Sequence, residues 1–148
     1  MAVMHRRKLI KIIDPERIKQ AIQSAEKLTS GEIRVSVSRF FWGRIRPAAE
    51  RAFTRLGMAK TKDRNGILFF IVPARRRFVV LGDEGIHAKV GPDFWKDLAE
   101  AMSADFKKGR FQKGLINGIE EAGKRLSTHF PYNPRTDKNE LPDDLDLR

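Results

Sequence analysis

Apolar positions fall into blocks whose spacing changes along the chain. Ile18, Ala21, Ile22, Ala25 and Leu28 recur at three- and four-residue intervals, the period of one helix face. Asp14-Pro15-Glu16 stands before them and supplies a capping carboxylate, a proline suited to the first helical position and an acid that complements the helix dipole. Thr29-Ser30-Gly31 ends this helix, with Gly31 expected to take a positive φ. From residue 32 the pattern changes to alternation. Ile33, Val35 and Val37 point one way, and Arg34, Ser36 and Ser38 the other, so residues 32–38 read as a strand with one apolar face. It is expected nearer a sheet edge than the strand at residues 67–72.

That strand, Ile67-Leu68-Phe69-Phe70-Ile71-Val72, is an unbroken apolar run and implies burial on both faces. A short turn through Pro73 and Arg77 leads to Phe78-Val79-Val80-Leu81, predicting an antiparallel partner. A helix from Pro47 to about Met58 separates the first two strands, with Ala48, Ala49, Ala52, Phe53 and Leu56 on one face. Gly91-Pro92-Asp93 opens another helix, which turns Phe94, Leu98, Ala101 and Met102 inward and stops at Gly109. The last runs from about Phe111 to Thr128 on Leu115, Ile119, Ala122 and Leu126. Gly114, Gly118 and Gly123 lie inside it, each costing about 1 kcal/mol relative to alanine, and are read as sites of close helix packing. The order helix, strand, helix, strand, strand, helix, helix predicts an α/β three-layer sandwich. Its central sheet is mixed and mostly parallel, with helices on both faces and a right-handed crossover within residues 32–72.

Composition narrows the setting. A chain of 148 residues has room for one domain with a real core. The expected division is a basic arm at residues 1–13, an α/β domain at 14–130 and an extended acidic tail at 131–148, rich in Pro, Asp and Asn. There is no cysteine, hence no disulfide framework and no thiolate site. No run reaches the roughly 18–20 apolar residues of a membrane span, and the start, with His5-Arg6-Arg7-Lys8 after Met4, does not read as a secretory signal. A cytoplasmic location is the simplest expectation. The net charge of +11 is uneven: residues 1–80 hold 19 Lys and Arg against 6 Asp and Glu, whereas residues 81–148 hold 11 against 13. A basic half attracts nucleic acid, anionic lipid or a phosphorylated ligand; a solubilising surface explains it equally well.

The candidate chemistry gathers around the strand pair. Its antiparallel course places Asp63 and Asn65, before the first strand, beside Asp83 and Glu84, after the second. Glu32 starts a strand expected to end nearby. Carboxylates and an amide oxygen suit a hard cation, Ca²⁺ or Mg²⁺, which could orient phosphate and activate water; the plainer expectation for each acid is a helix cap or a pairing with a local arginine. Three residues beyond Glu84 is His87, conceivable as a proton donor and more simply a surface side chain. Arg75, Arg76 and Arg77 occupy the turn at the far edge and could hold an anion, though not one handled by Asp83. In the loop at residues 39–46, Phe40, Phe41 and Trp42 stand among Arg39, Arg44 and Arg46. This mixture suits single-stranded nucleic acid or a lipid interface, but rings folded back on the core are the simpler expectation. No Gly-x-Ser-x-Gly, Walker loop or paired-histidine motif occurs, so serine hydrolase, nucleoside triphosphatase and zinc protease readings lack support.

An ordered set of segments resembles the TPM domain family. Thr29-Ser30-Gly31-Glu32-Ile33-Arg34-Val35 resembles its first-strand opening, and Arg64-Asn65-Gly66-Ile67-Leu68-Phe69 its second strand. Leu81-Gly82-Asp83-Glu84-Gly85-Ile86, Asp93-Phe94-Trp95, Phe106-Lys107-Lys108-Gly109 and Gly114-Leu115-Ile116-Asn117-Gly118-Ile119 follow in the expected order. His129-Phe130-Pro131 and Asn139-Glu140-Leu141-Pro142-Asp143 complete the set. The resemblance implies a sheet sandwiched by helices. It also implies that some relatives are acid phosphatases, notably one of the thylakoid lumen, that others bind divalent metal near the sheet edge, and that others are accessory proteins of membrane complexes. Many carry a signal peptide and a membrane segment; this chain looks like the small soluble bacterial subgroup. Three readings follow: a non-catalytic or accessory binding module for a protein partner, with a divalent-metal site; a metal-dependent phosphatase; or an electrostatic binder of nucleic acid or anionic membrane.

Overall fold

A computed structural model describes residues 4–39, 42–136 and 139–148. Helices α1 (Arg6–Ile12) and α2 (Pro15–Glu26) lead into strand β1 (Glu32–Val37), and α3 (Ile45–Arg55) crosses to β2 (Gly66–Val72). A single 3-10 turn at Pro73–Arg75 joins β2 to β3 (Arg77–Gly82). The short α4 (Glu84–His87), then α5 (Pro92–Lys107), α6 (Phe111–His129) and the two-residue β4 (Asp146–Leu147) follow. The sheet has the order β3-β2-β1-β4. Parallel pairing joins β1 to β2 and to β4; only β2 and β3 are antiparallel. This is the expected mixed, mostly parallel sheet.

All seven residues of β2 are buried. Ile67, Phe69 and Ile71 face the larger core with Ile33, Val35 and Val37, against α2, α5 and α6. Leu68, Phe70 and Val72 face a smaller core made by Ile45, Ala49 and Ala52 of α3, with Met58 and Leu141. Helices on both faces make the three-layer sandwich. Asp14 caps α2 by accepting from the Glu16 amide at 3.0 Å, and Gly109 closes α5 at a φ of 75°.

Three local expectations need correction. The segment at residues 1–13 contains α1, and Leu9 within it and Ile13 just past its end are core residues. Residue 31 is not among the glycines at positive φ, because α2 has already ended at Glu26. A Cβ on Gly31 would stand 3.2 Å from Leu126 Cδ1, so the glycine serves close packing. The early end of α2 also leaves Leu28 52% exposed. As expected, β1 lies nearer the sheet edge than β2: the tail supplies β4 along its outer side, pairing only with Ser36 and Val37. Asp146 holds that strand down, accepting from Ser36 Oγ at 2.8 Å and from both terminal nitrogens of Arg55 at 2.9 and 3.3 Å. Burial alone would raise the Asp146 pKa, but those donors outweigh it and hold the carboxyl below its usual range.

Glycines in α6 admit their neighbours, as expected. A Cβ on Gly118 would come within 2.6 Å of Met102 Sδ, and one on Gly123 within 2.8 Å of Ala25 Cβ and 3.1 Å of Ala25 Cα. The Gly123 contact is with the backbone of α2 and cannot be relieved by a rotamer change. Gly123→Ala is therefore expected to destabilise the fold by about 1–3 kcal/mol, despite the gain of about 1 kcal/mol in helix propensity. Gly91→Ala, where a Cβ meets nothing within 4 Å, is expected to stay within about 0.5 kcal/mol of the parent. Urea denaturation midpoints of the two variants check this.

Candidate functional site

The register Glu32↔Gly66 and Ile67↔Gly82 brings the start of β1, the start of β2 and the end of β3 to one end of the sheet. Glu32, Asn65, Asp83 and Glu84 therefore share that end. They do not converge on one point. Asp83 is 6% exposed, and its carboxylate accepts from Arg64 Nε at 2.6 Å and Arg64 Nη2 at 2.8 Å. It also caps α4 through the Glu84 amide at 2.8 Å. Glu84 takes the remaining terminal nitrogen of the same guanidinium, Arg64 Nη1, at 3.1 Å. Arg64 lies at a φ of 50°, a left-handed conformation uncommon for arginine, and its carbonyl accepts from the Gly85 amide at 2.9 Å. A side chain on Gly85 would run into the Asp63 and Arg64 carbonyls. The Asp63 and Asp83 segments thus adjoin through their backbones, while the exposed Asp63 side chain stays apart. Asn65 donates to the Ser30 carbonyl at 3.3 Å, and its own buried Oδ1 has no donor.

Glu32 belongs to a second group, on the other side of β1. The side chain is 3% exposed; Oε1 accepts from the Glu140 amide at 2.7 Å, and Oε2 is buried without a donor. Beside it is Glu26, whose Oε2 accepts from the Ile33 amide at 3.0 Å. That amide lies on the stretch of β1 that β4 does not reach, since β4 pairs only with Ser36 and Val37. Asp143 Oδ1 is another buried oxygen without a donor, and Glu32 and Asp143 are the acidic neighbours of Glu26. Carboxylates crowded together away from water favour holding a proton. Burial comes first in pushing Glu26 well above the usual carboxylate range, followed by the Asp143 contact. Burial raises Glu32 as well. These three acids line a cleft of about 290 Å³ with Thr29, Asn139 and Tyr132. The end of α6 fixes its floor, because Thr29 Oγ1 donates to the Phe130 carbonyl at 2.5 Å and the Ser30 amide donates to the same oxygen at 2.8 Å.

The chain pattern carries a signal for Glu26, outside the loop acids: it continues Ile18 and Ile22 at the same four-residue interval. That spacing places an acid on the buried stripe. Asp143 comes from the aperiodic tail, where periodicity offers no guide.

At the opposite end of β2, the register Val72↔Arg77 sets the Arg75-Arg76-Arg77 turn away from Asp83. Arg75 Nη1 donates to the Gly43 carbonyl at 2.5 Å, and Arg76 Nη1 to the Lys107 carbonyl at 2.9 Å. Trp42 projects to solvent, 64% exposed, instead of folding back on the core; Phe40 and Phe41 lie outside the described residues. Arg44 and Arg46 are exposed beside it. His87 stacks on Trp95 with ring centroids 4.8 Å apart, a packing role.

A mixed α/β sandwich with acids gathered at the amino end of its parallel strands is the class that the fold and site define. The model of the TPM domain matches residues 3–125, and the chain belongs to that family. It is similar to the BA42 protein of the psychrophilic bacterium Bizionia argentinensis, solved by NMR, with 37% identity, a TM-score of 0.86 and 94% of each chain covered. The N-terminal domain of the cg2496 protein of Corynebacterium glutamicum shares the fold at 14% identity and a TM-score of 0.60, over 80% of this chain and 74% of that one. No curated protein matches. Among the described residues, no helix is long and apolar enough to cross a membrane.

The proton on Glu26 links the cleft to stability. The folded chain retains it where the unfolded chain has released it, above the ordinary carboxylate range, so stability falls as pH rises through that window. Glu32 acts with the same sign; Asp146, shifted down, acts oppositely and only at more acidic pH. Between about pH 5 and about pH 8 the unfolding free energy is expected to fall by up to about 1.4 kcal/mol per pH unit for one extra bound proton. Glu26→Gln, which keeps a donor without a charge, is expected to flatten that slope in urea titrations across the range.

Proposed function

We propose that this TPM domain is a non-catalytic binding module whose acidic cleft takes a hard divalent cation, Ca²⁺ or Mg²⁺, in exchange for protons. The observation that carries the reading is the buried Glu32 Oε2, which lacks a donor while its side chain lines the cleft. A carboxylate oxygen held there without a hydrogen bond is costly, and a cation offsets that cost as a proton would. Glu26, Glu32 and Asp143 offer oxygen alone, the donor type that Ca²⁺ and Mg²⁺ prefer. Among the described residues no three acids or histidines are grouped to hold a metal unaided, so the cation must draw on carbonyl or water oxygens too. The Asp83 edge fits a cation poorly, because Arg64 and the Glu84 amide already occupy its carboxylate. The same engagement argues against Asp83 as a hydrolytic group and favours the accessory reading over the phosphatase reading. The cysteine-free composition supports a cytoplasmic setting.

Calorimetric titration with Ca²⁺ and with Mg²⁺ is expected to give saturable binding that strengthens with pH, with shifts of the Gly31 and Ile33 amide signals in NMR spectra. Glu32→Gln is expected to weaken binding about tenfold or more, the range typical of losing a metal-site partner. Undiminished binding in Glu32→Gln would overturn the site. A phosphomonoester assay with either cation is expected to show no turnover; turnover that tracks the folded protein and falls in Asp83→Asn would overturn the non-catalytic reading.

Asp83 has a structural role to lose. Asp83→Ala leaves the half-buried Arg64 without its two-point partner and α4 without its cap. A loss of about 1–3 kcal/mol is expected, read as a lower urea midpoint.

A further inference from the structure

The basic end of the sheet is independent of the acidic cleft. A groove of about 210 Å³ opens beyond the carboxyl ends of β1 and β2, reaching Ser38 and Val72. Ligands of open α/β sheets settle at this end of parallel strands. Its floor is apolar, formed by Ile45, Phe70 and Val72; Trp42, Arg44, Arg51 and Arg75 stand around it. None of the ion pairs formed among the described residues involves Arg44, Arg51 or Arg75. Arg75 is steadied by the Gly43 carbonyl, which orients the guanidinium and leaves its charge uncompensated. Helix α3 starts at the groove with Arg44 in the capping position and no side-chain cap, so the positive end of its dipole faces the same space.

We propose that this groove binds single-stranded nucleic acid, with a base stacked on Trp42 and neighbouring phosphates on Arg44, Arg51 and Arg75. Stacking on an exposed aromatic beside fixed cations is the chemistry of sequence-tolerant single-strand binding, and arginine forks suit phosphate oxygens. The groove, about 210 Å³, has the scale of a single base. An anionic membrane is a weaker match, because interfacial insertion needs a broad apolar face. Among the described residues the groove rim exposes one large aromatic, Trp42.

Fluorescence anisotropy of a labelled oligothymidylate on the unmodified chain, across a salt series, tests this. Binding is expected at low salt, with a log–log salt slope of about −2 for three phosphate contacts on a single strand. Trp42→Ala is expected to weaken it about 5- to 100-fold, and Arg44→Glu or Arg51→Glu about tenfold or more, with circular dichroism confirming that each variant is folded. In Trp95→Phe, where Trp42 is the remaining tryptophan, the oligonucleotide is expected to quench emission. No binding at low salt would overturn the proposal, as would Trp42→Ala binding like the parent or dextran sulfate competing as strongly as the oligonucleotide. A blue shift with phosphatidylserine vesicles and no quenching by oligonucleotide would assign the surface to a membrane instead.

Discussion

The burial of β2 on both faces is the constraint on which the rest depends. Seven consecutive buried residues leave no side of the strand to face water, so each face needs a layer of its own. On one side α2, α5 and α6 form that layer; on the other α3 does, with Leu141 from the tail. The crossover through α3 makes β1 parallel to β2, and the tight turn makes β3 antiparallel. The chemistry then has only two places to gather. The amino ends of β1 and β2 share one end of the sheet with the finish of β3, and their carboxyl ends share the other with the hairpin turn. Helix positions are adjusted to this layered packing, as Gly118 against Met102 and Gly123 against Ala25 demonstrate.

Periodicity carried the fold because periodicity records burial. The continuous run at residues 67–72 predicted a doubly covered strand, and the glycines of α6 predicted close approach. What periodicity does not record is competition for a charged group. Asp83 and Glu84 read in sequence either as ligands of a cation or as helix caps paired with a local arginine; the second holds, and Arg64, one residue beyond Asp63, reaches both. Its unusual backbone conformation could not be read from its identity. The tail failed for a related reason. Its anchoring rests on particular polar pairs, Asp146 with Arg55 and Ser36, and on the apolar side chains Leu141, Leu145 and Leu147, which follow no long repeat. Glu26 was the legible exception, since its position on an apolar helix stripe is a pattern even though its chemistry is not.

The two ends of the sheet hold unneutralised charge in different ways. At the acidic end Glu26, Glu32 and Asp143 line one cleft, and burial and mutual repulsion favour uptake of a proton by Glu26. That relief is intrinsic to the chain and reversible, and it couples the cleft to pH. The proposed cation would answer the same electrostatic problem.

The basic end has no such recourse. Arginine cannot release its proton in the accessible pH range, so Arg44, Arg51 and Arg75 remain charged around the groove. The start of α3 adds further positive potential, and the carbonyls of Gly43 and Lys107 orient the hairpin arginines without cancelling their charge. Asp146, the acid that the tail brings to the carboxyl end of β1, is already engaged by Arg55 and Ser36. Screening by salt lowers the cost of such a field but does not remove it near a groove with a low-dielectric wall. An anion outside the chain would lower the cost of that field, which is the basis of the groove proposal. The exposed indole of Trp42 favours a ligand that brings a flat ring together with its negative charge.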